Sequence, residues 1–140
     1  PSRDGYSELL GALHRDGYHC VVDLCGVDYL EHPGRSGLPE GIGPERFEVV
    51  VGLINHRERA RVRLRVQVPE ADPQLPSAWS HYPGTEAMER ETFDMYGIVF
   101  DGHPDLSRIL MPEDWVGHPL RKDYDIGRIP VQFKGAPANR

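Results

Sequence analysis

Thiols are scarce: Cys20 and Cys25 are the only cysteines in the chain. Five positions apart in a strand-like run, they would sit on opposite faces of a regular strand, roughly 16 Å apart and beyond disulfide reach. They also fall short of the thiolate set that an iron–sulfur cluster normally takes. Both are expected to be reduced, as in a cytosolic setting. Long apolar runs are missing too. Stretches such as Val49-Val50-Val51 are short, whereas a helical bilayer span needs about 20 residues. Pro1-Ser2-Arg3-Asp4 offers no initiator Met, basic segment or apolar segment, so no signal peptide is visible and the chain reads as a partial one. Positive charge is in deficit. Acidic residues outnumber basic ones 22 to 16, giving a net charge of -6, the wrong sign for a dedicated nucleic-acid or anionic-membrane binder. Lysine is nearly absent, with only Lys122 and Lys134 among the basic residues, a bias that GC-rich codon usage would produce.

What remains is ordinary for one folded domain. The 140 residues are 39% hydrophobic, enough to bury roughly two-thirds of the unfolded surface around a single core. Tyr6, Leu9, Leu10 and Leu13 follow the spacing of one helical face, and Gly17 is placed to stop it. Tyr18–Leu30 is β-rich, Glu31–Gly43 is a Gly- and Pro-rich loop, and Phe47–His56 and Arg61–Val68 read as a hairpin. A short helix is expected around Ser77–His81. A longer one is expected over Glu86–Tyr96, with Thr85 as N-cap, Gly97 as stop, and Met88, Thr92 and Met95 on its buried edge. From Ile98 onward recurrent Gly and Pro predict an irregular segment held by contacts.

The third strand alternates strictly. Val62, Leu64, Val66 and Val68 occupy one face and Arg61, Arg63 and Arg65 the other, with Arg57 and Arg59 in phase if the strand extends. Such a guanidinium ladder is either a solvated, aggregation-resistant face or a docking face for an acidic partner.

Catalytic signatures are absent at the level of motifs. There is no G-x-S-x-G, phosphate-binding loop or G-x-G-x-x-G, and Gly41-Ile42-Gly43 runs into Pro44. His103, Asp105, His118 and Asp123 could be proposed as zinc ligands, but no ligand spacing supports them, and His and Asp beside Pro are ordinary turn formers. On the second helix Glu91 and Asp94 share a face and could form an acid pair, while Arg90 and Asp94 are spaced for an ion pair.

The stretch Glu89–Tyr124, ERETFDMYGIVFDGHPDLSRILMPEDWVGHPLRKDY, closely resembles the signature region of the 30 kDa subunit family of respiratory complex I (NADH:quinone oxidoreductase), known in bacteria as the C subunit. The matching elements are Glu89-Arg90-Glu91, Asp94-Met95-Tyr96-Gly97-Ile98, Gly102-His103-Pro104-Asp105-Leu106, Arg108-Ile109-Leu110 and Gly117–Tyr124. Asp23–Tyr29 looks like the family's first strand. Ser107 stands where the family usually has a basic residue, so one family salt bridge is not expected here.

The resemblance implies an α+β fold: a two-layer domain over residues 1–100, with a small mixed β-sheet packed by helices, and an irregular C-terminal extension over 101–140 that wraps a partner subunit. It implies a non-catalytic structural subunit of the hydrophilic arm of a proton-translocating enzyme, peripheral on the cytoplasmic face of the bacterial cell membrane. The implied partners are subunits D, B and I of complex I, with docking on the first of these, which holds the quinone site. FMN, iron–sulfur clusters and quinone are then held by partner subunits and none by this chain. The expected interface residues are Glu89, Arg90, Asp94, His103, Asp105, Arg108, Trp115, His118, Arg121, Lys122, Asp123 and Tyr124. The alternative is the equivalent subunit of a related membrane-bound hydrogenase or formate hydrogenlyase. Asp125–Arg140, low in apolar residues, is expected to run extended along a partner.

Overall fold

The computed structural model describes residues 1–32, 37–125 and 127. Helix α1 (Tyr6–Arg15) leads into strand β1 (Cys20–Asp28), which pairs antiparallel with β2 (Phe47–Asn55), which pairs antiparallel with β3 (Ala60–Val68). A second, parallel pair joins β4 (Gln74–Pro76) to β5 (Val99–Asp101), with helix α2 (Glu86–Tyr96) between them in sequence. The expected α+β class holds, and the mixed character is divided between two sheets, one antiparallel and one parallel. Asp125–Arg140 falls almost wholly outside the described residues, as do Pro33 and Gly34 of the long loop.

The inner face of the larger sheet is built by alternation. Phe47, Val49, Val51 and Leu53 of β2 and Leu64, Val66 and Val68 of β3 are buried against Tyr6 and Leu10 of α1. Helix α2 lies close over β1 because Gly26 has no side chain there. A Cβ at Gly26 would come within 2.7 Å of the Tyr96 ring and 3.0 Å of Thr92. No helix among the described residues is long and apolar enough to cross a membrane.

Four local expectations are corrected. The register of β1 against β2 slips between Val21 and Asp23, a β-bulge with Val22 as the extra residue. Cys20 therefore opposes Ile54 and Cys25 opposes Val50, which puts both thiols on the outer face rather than on opposite ones. Arg57 and Arg59 do not extend β3, because the chain turns there and Arg59 takes φ 53. The short helix falls at Pro83–Thr85 as a 3-10 turn, while Ser77–His81 is a turn closed on the Ala78 carbonyl. Thr85 precedes α2 but already has helical backbone angles (φ -82, ψ -7), which aim its side chain away from the N–H groups an N-cap would serve. Its hydroxyl donates back to the Tyr82 carbonyl instead, at 2.9 Å.

Candidate functional site

Helix α2 ends at Gly97, whose left-handed backbone (φ 73) directs the chain back across the helix. An α-helix leaves its last carbonyls unpaired, and here they become anchors. The Phe93 carbonyl accepts from Gly97 N–H at 2.8 Å, Asp94 from His118 Nδ1 at 2.9 Å, Met95 from Leu120 N–H at 3.1 Å and Tyr96 from Arg121 Nε at 2.6 Å. The Arg121 guanidinium also sits over the Phe47 ring, 5.1 Å from its centroid. A guanidinium at a helix C-terminus is also favoured by the helix dipole.

Asp94 is the second anchor. Its side chain is fully buried. Oδ1 accepts from Arg108 Nη1 at 2.6 Å, and Oδ2 accepts three backbone N–H groups, from Ile109, Leu110 and Met111, at 3.1, 2.8 and 2.8 Å. Burial alone would raise its pKa, but these donors outweigh it and hold the carboxyl below the usual range. Arg108 reaches on to the Gly117 carbonyl at 3.0 Å, and Arg90 grips the Ser107 and Arg108 carbonyls at 3.1 Å each. Arg90 also donates to Ser107 Oγ at 2.8 Å.

The strap formed by residues 103–124 is fastened at both ends. At its start the buried His103 ring donates from Nε2 to the Glu86 carbonyl (3.1 Å), accepts at Nδ1 from Asp105 N–H (3.1 Å) and lies 3.9 Å from Glu89. Glu89, itself buried, accepts from Ser77 Oγ at 2.5 Å and Ala78 N–H at 2.6 Å. Burial pushes its pKa up despite those bonds. At the far end Lys122 N–H reaches Asp28 Oδ2 at 2.9 Å, and Asp123 pairs with Arg46 at 2.7 Å. Arg46 also binds Asp28 at 2.9 Å and Glu70. Tyr124 packs where a Cβ at Gly117 would meet its ring at 2.8 Å.

Glu89, Asp94 and His103 were expected at a partner interface; their side chains are buried within this chain and spent on internal bonds. They position the strap. The Arg90–Asp94 and Glu91–Asp94 pairings are not made, because Arg108 takes Asp94 while Arg90 turns to the Ser107 backbone. Asp105, Lys122 and Asp123 remain exposed, and Arg90, Arg108, Trp115, His118, Arg121 and Tyr124 are partly so. The suggested zinc ligands disperse to separate partners, and among the described residues no three His, Cys, Asp or Glu side chains converge to hold a metal.

Two features were missed. Asp28 lies on the inward face of β1 as the fourfold acceptor of Leu30, Arg46 and Lys122 groups. Alternation from Leu24 through Gly26 could have revealed it, since an acid on a core-facing position needs donors. The strap also carries four of the seven large hydrophobic side chains left exposed among the described residues: Ile109, Leu110, Val116 and Leu120. Val116 is 87% exposed and Leu110 60%, an arrangement that marks interaction surfaces.

Comparison with known proteins follows the same residues. Residues 2–129 match the family described as "Respiratory-chain NADH dehydrogenase, 30 Kd subunit". The chain is 53% identical over 116 residues to the C subunit of NADH-quinone oxidoreductase from Roseiflexus castenholzii, covering 83% of this chain and 60% of that protein. It is 46% identical over 123 residues to the protein of the same name from Mycobacterium sp. (strain KMS), covering 87% and 50%. The chain thus spans about half to three-fifths of the length of these relatives. A solved structure described as Nqo5 of the trypsin-resistant fragment superposes with a TM-score of 0.67 at 35% identity, covering 76% of this chain and 79% of the other. A chain of an archaeal membrane-bound sulfane sulfur reductase shares the fold at 19% identity, with a TM-score of 0.65 over 99% of this chain and 81% of its own. With nearly the whole chain inside the family match, the protein belongs to the 30 kDa subunit family of respiratory-chain NADH dehydrogenase.

Proposed function

We propose that the chain is a structural, non-catalytic subunit of the hydrophilic arm of a proton-translocating NADH:quinone oxidoreductase, peripheral on the cytoplasmic face of the membrane. In this reading its neighbours are subunits D, B and I, and it docks on the first of these, the subunit that holds the quinone site. It supports electron transfer through FMN and iron–sulfur clusters held by other subunits to quinone. The observation that carries the reading is the strap. The residues of strongest family resemblance are pinned to α2 from beneath by Asp94 and Arg108, while Ile109, Leu110, Val116 and Leu120 face outward among exposed charged residues that include Glu113 and Asp114. A segment ordered before binding loses less conformational entropy on docking, so Ile109, Leu110, Val116, Leu120 and the partly exposed Trp115 are suited to a partner surface. Asp105, Lys122, Asp123 and Tyr124 supply its polar rim. A second reading, the equivalent subunit of a membrane-bound hydrogenase or formate hydrogenlyase, is kept because the same fold occurs in another respiratory membrane complex.

Native separation of gently solubilised membranes tests both. The expected result is this chain in the NADH dehydrogenase band beside subunits B, D and I. Migration with hydrogenase activity would install the second reading, and a chain that stays alone would remove both. Val116→Asp should lower incorporation into the band while leaving the melting temperature of the isolated chain unchanged, since the side chain is exposed.

A further inference from the structure

The face of the larger sheet turned away from α2 is left uncovered by the described residues at its hairpin end. There an open trough of about 610 Å³ runs along β2, floored by Val50, Gly52 and Ile54 and walled by Arg61 and Arg63 of β3 on one side and by Val22, Asp23 and Cys25 of β1 on the other. Gly52 is the unusual member. It sits mid-strand in the central strand, its φ is not in the left-handed region, and a Cβ built on it meets nothing closer than Val22 Cβ at 3.8 Å. Gly52 faces Asp23 beside the Val22 bulge, but a Cβ there would make only ordinary contacts, so packing does not demand glycine as it does at Gly26. A strand-interior glycine accompanies a bulge or leaves room for another backbone to approach closely, and the open trough over Gly52 provides that room.

The wall on β3 supplies charge. Arg65, the third rung of the guanidinium ladder, binds Glu48 through two bonds of 2.7 and 3.1 Å. Arg61 and Arg63 are exposed and form no ion pair or hydrogen bond with the described residues. Being two positions apart on one strand, they stand roughly 6.7 Å apart, which is also the spacing of alternate side chains on an extended segment. Asp23 faces them from the opposite wall, so the trough is polarised and disfavours a carboxylate on the β1 side.

We propose that this trough is a docking site for an extended acidic segment of another polypeptide, laid along β2 with its backbone over Gly52. Two carboxylates at alternate positions of the segment pair with Arg61 and Arg63, an acceptor geometry guanidinium groups match well. Val50, Ile54 and Val22 receive the side chains between them. The site is separate from the strap and goes beyond the function proposed above, standing or falling independently of which complex holds the chain.

The test uses the full chain and a short fluorescent peptide alternating glutamate and threonine, with a lysine–threonine peptide as control, read by fluorescence anisotropy at low and physiological salt. The glutamate peptide should bind and the lysine peptide should not. Replacing both wall arginines, Arg61→Glu with Arg63→Glu, should weaken binding by at least about tenfold. Gly52→Thr should weaken it by about tenfold while leaving the melting temperature unchanged or raised, since a β-branched residue favours a strand. Asp23→Asn should tighten it by about twofold by removing a like charge. Equal binding of the two peptides overturns the proposal, as does full retention of binding in either the arginine or the Gly52 variant. A dimer of this chain that dissociates on Gly52→Thr would also overturn it, by showing a second copy as the occupant.

Discussion

Glu89 and Asp94 lie five residues apart on one helix, both with fully buried side chains, yet their surroundings push them in opposite directions. Glu89 accepts from one backbone N–H and one hydroxyl, lies beside the Thr85 hydroxyl and the His103 ring (3.9 Å), and meets no guanidinium. There desolvation prevails and the carboxyl is drawn toward its neutral form. Asp94, equally hidden from solvent but less deeply placed, faces three backbone N–H groups and Arg108, and those donors prevail over its desolvation. Burial alone therefore does not determine the state of a carboxyl. The number and charge of the donors aimed at it do. The consequence is a division of labour: Glu89 joins α2 to the Ser77–Ala78 turn through two short accepted bonds, whereas Asp94 organises a whole strap through a guanidinium and three backbone N–H groups.

The strongest test of that contrast is Asp94→Asn. An amide cannot accept from three N–H groups and a guanidinium at once, and it leaves Arg108 without its charge partner. Breaking a buried ion pair costs about 3–5 kcal/mol. The loss should be local: amide protons of Ile109–Met111 should lose hydrogen-exchange protection while those of β2 and β3 keep theirs. Unchanged protection over Ile109–Met111 would show that the strap is held by other means.

The sequence announced the strap by its resemblance and the hairpin by its alternation, because both signals are periodic or motif-bound. It did not announce how the strap is held. Arg90 and Asp94 have the spacing of a helical ion pair, but tertiary partners with better geometry, Arg108 and the Ser107 carbonyl, displaced that local option. The Val22 bulge was illegible for a similar reason: a one-residue slip leaves the hydrophobic composition of β1 unchanged while moving Cys20 and Cys25 to one face. Likewise, nothing in the run from Ile98 distinguishes the three-residue strand β5 from loop, since its pairing with β4 is long-range.

Gly97→Ala probes the same end of α2 by a steric route. Its left-handed backbone penalises any Cβ, and that atom would lie 2.5 Å from His118 Nε2 and 2.7 Å from Arg121 Nη2. The expected cost is about 2 kcal/mol, with hydrogen exchange accelerating at Leu120 and Arg121, whose N–H groups bond the Met95 and His118 carbonyls, and not at Ala78. A loss of protection at Ala78 equal to that at Leu120 would mean that the two ends of α2 are coupled and the division is false.

Glu89→Gln should be milder. Glutamine resembles the neutral acid that burial already favours: its carbonyl can accept from Ala78 N–H and its amide can donate to Ser77 Oγ, which is free to rotate. The expected cost is about 1 kcal/mol or less, read as a small fall in the urea midpoint. A cost as large as that of Asp94→Asn would place a fully charged carboxylate at both positions.

The smallest effect separates the two acids by the sign of their pH dependence. Asp94, held below the usual range, binds fewer protons folded than unfolded. Its contribution is present above the unfolded value near about 3.9 and is lost as pH falls through the folded pKa. Glu89, held above the usual range, binds more protons folded than unfolded. Its contribution is complete below the unfolded value near about 4.3 and declines as pH rises from there through its folded pKa. Urea midpoints followed from acid to neutral pH should therefore change less steeply below about pH 4 in Asp94→Asn. A residual slope should remain there from Asp28 and Asp123, which are also held low. In Glu89→Gln the acid limb should keep its slope, and the midpoint relative to the unmodified chain should improve as pH rises above about 4.3. A constant difference between Glu89→Gln and the unmodified chain across that window would mean that Glu89 titrates as it does in the unfolded state, and that its two hydrogen bonds offset its burial after all.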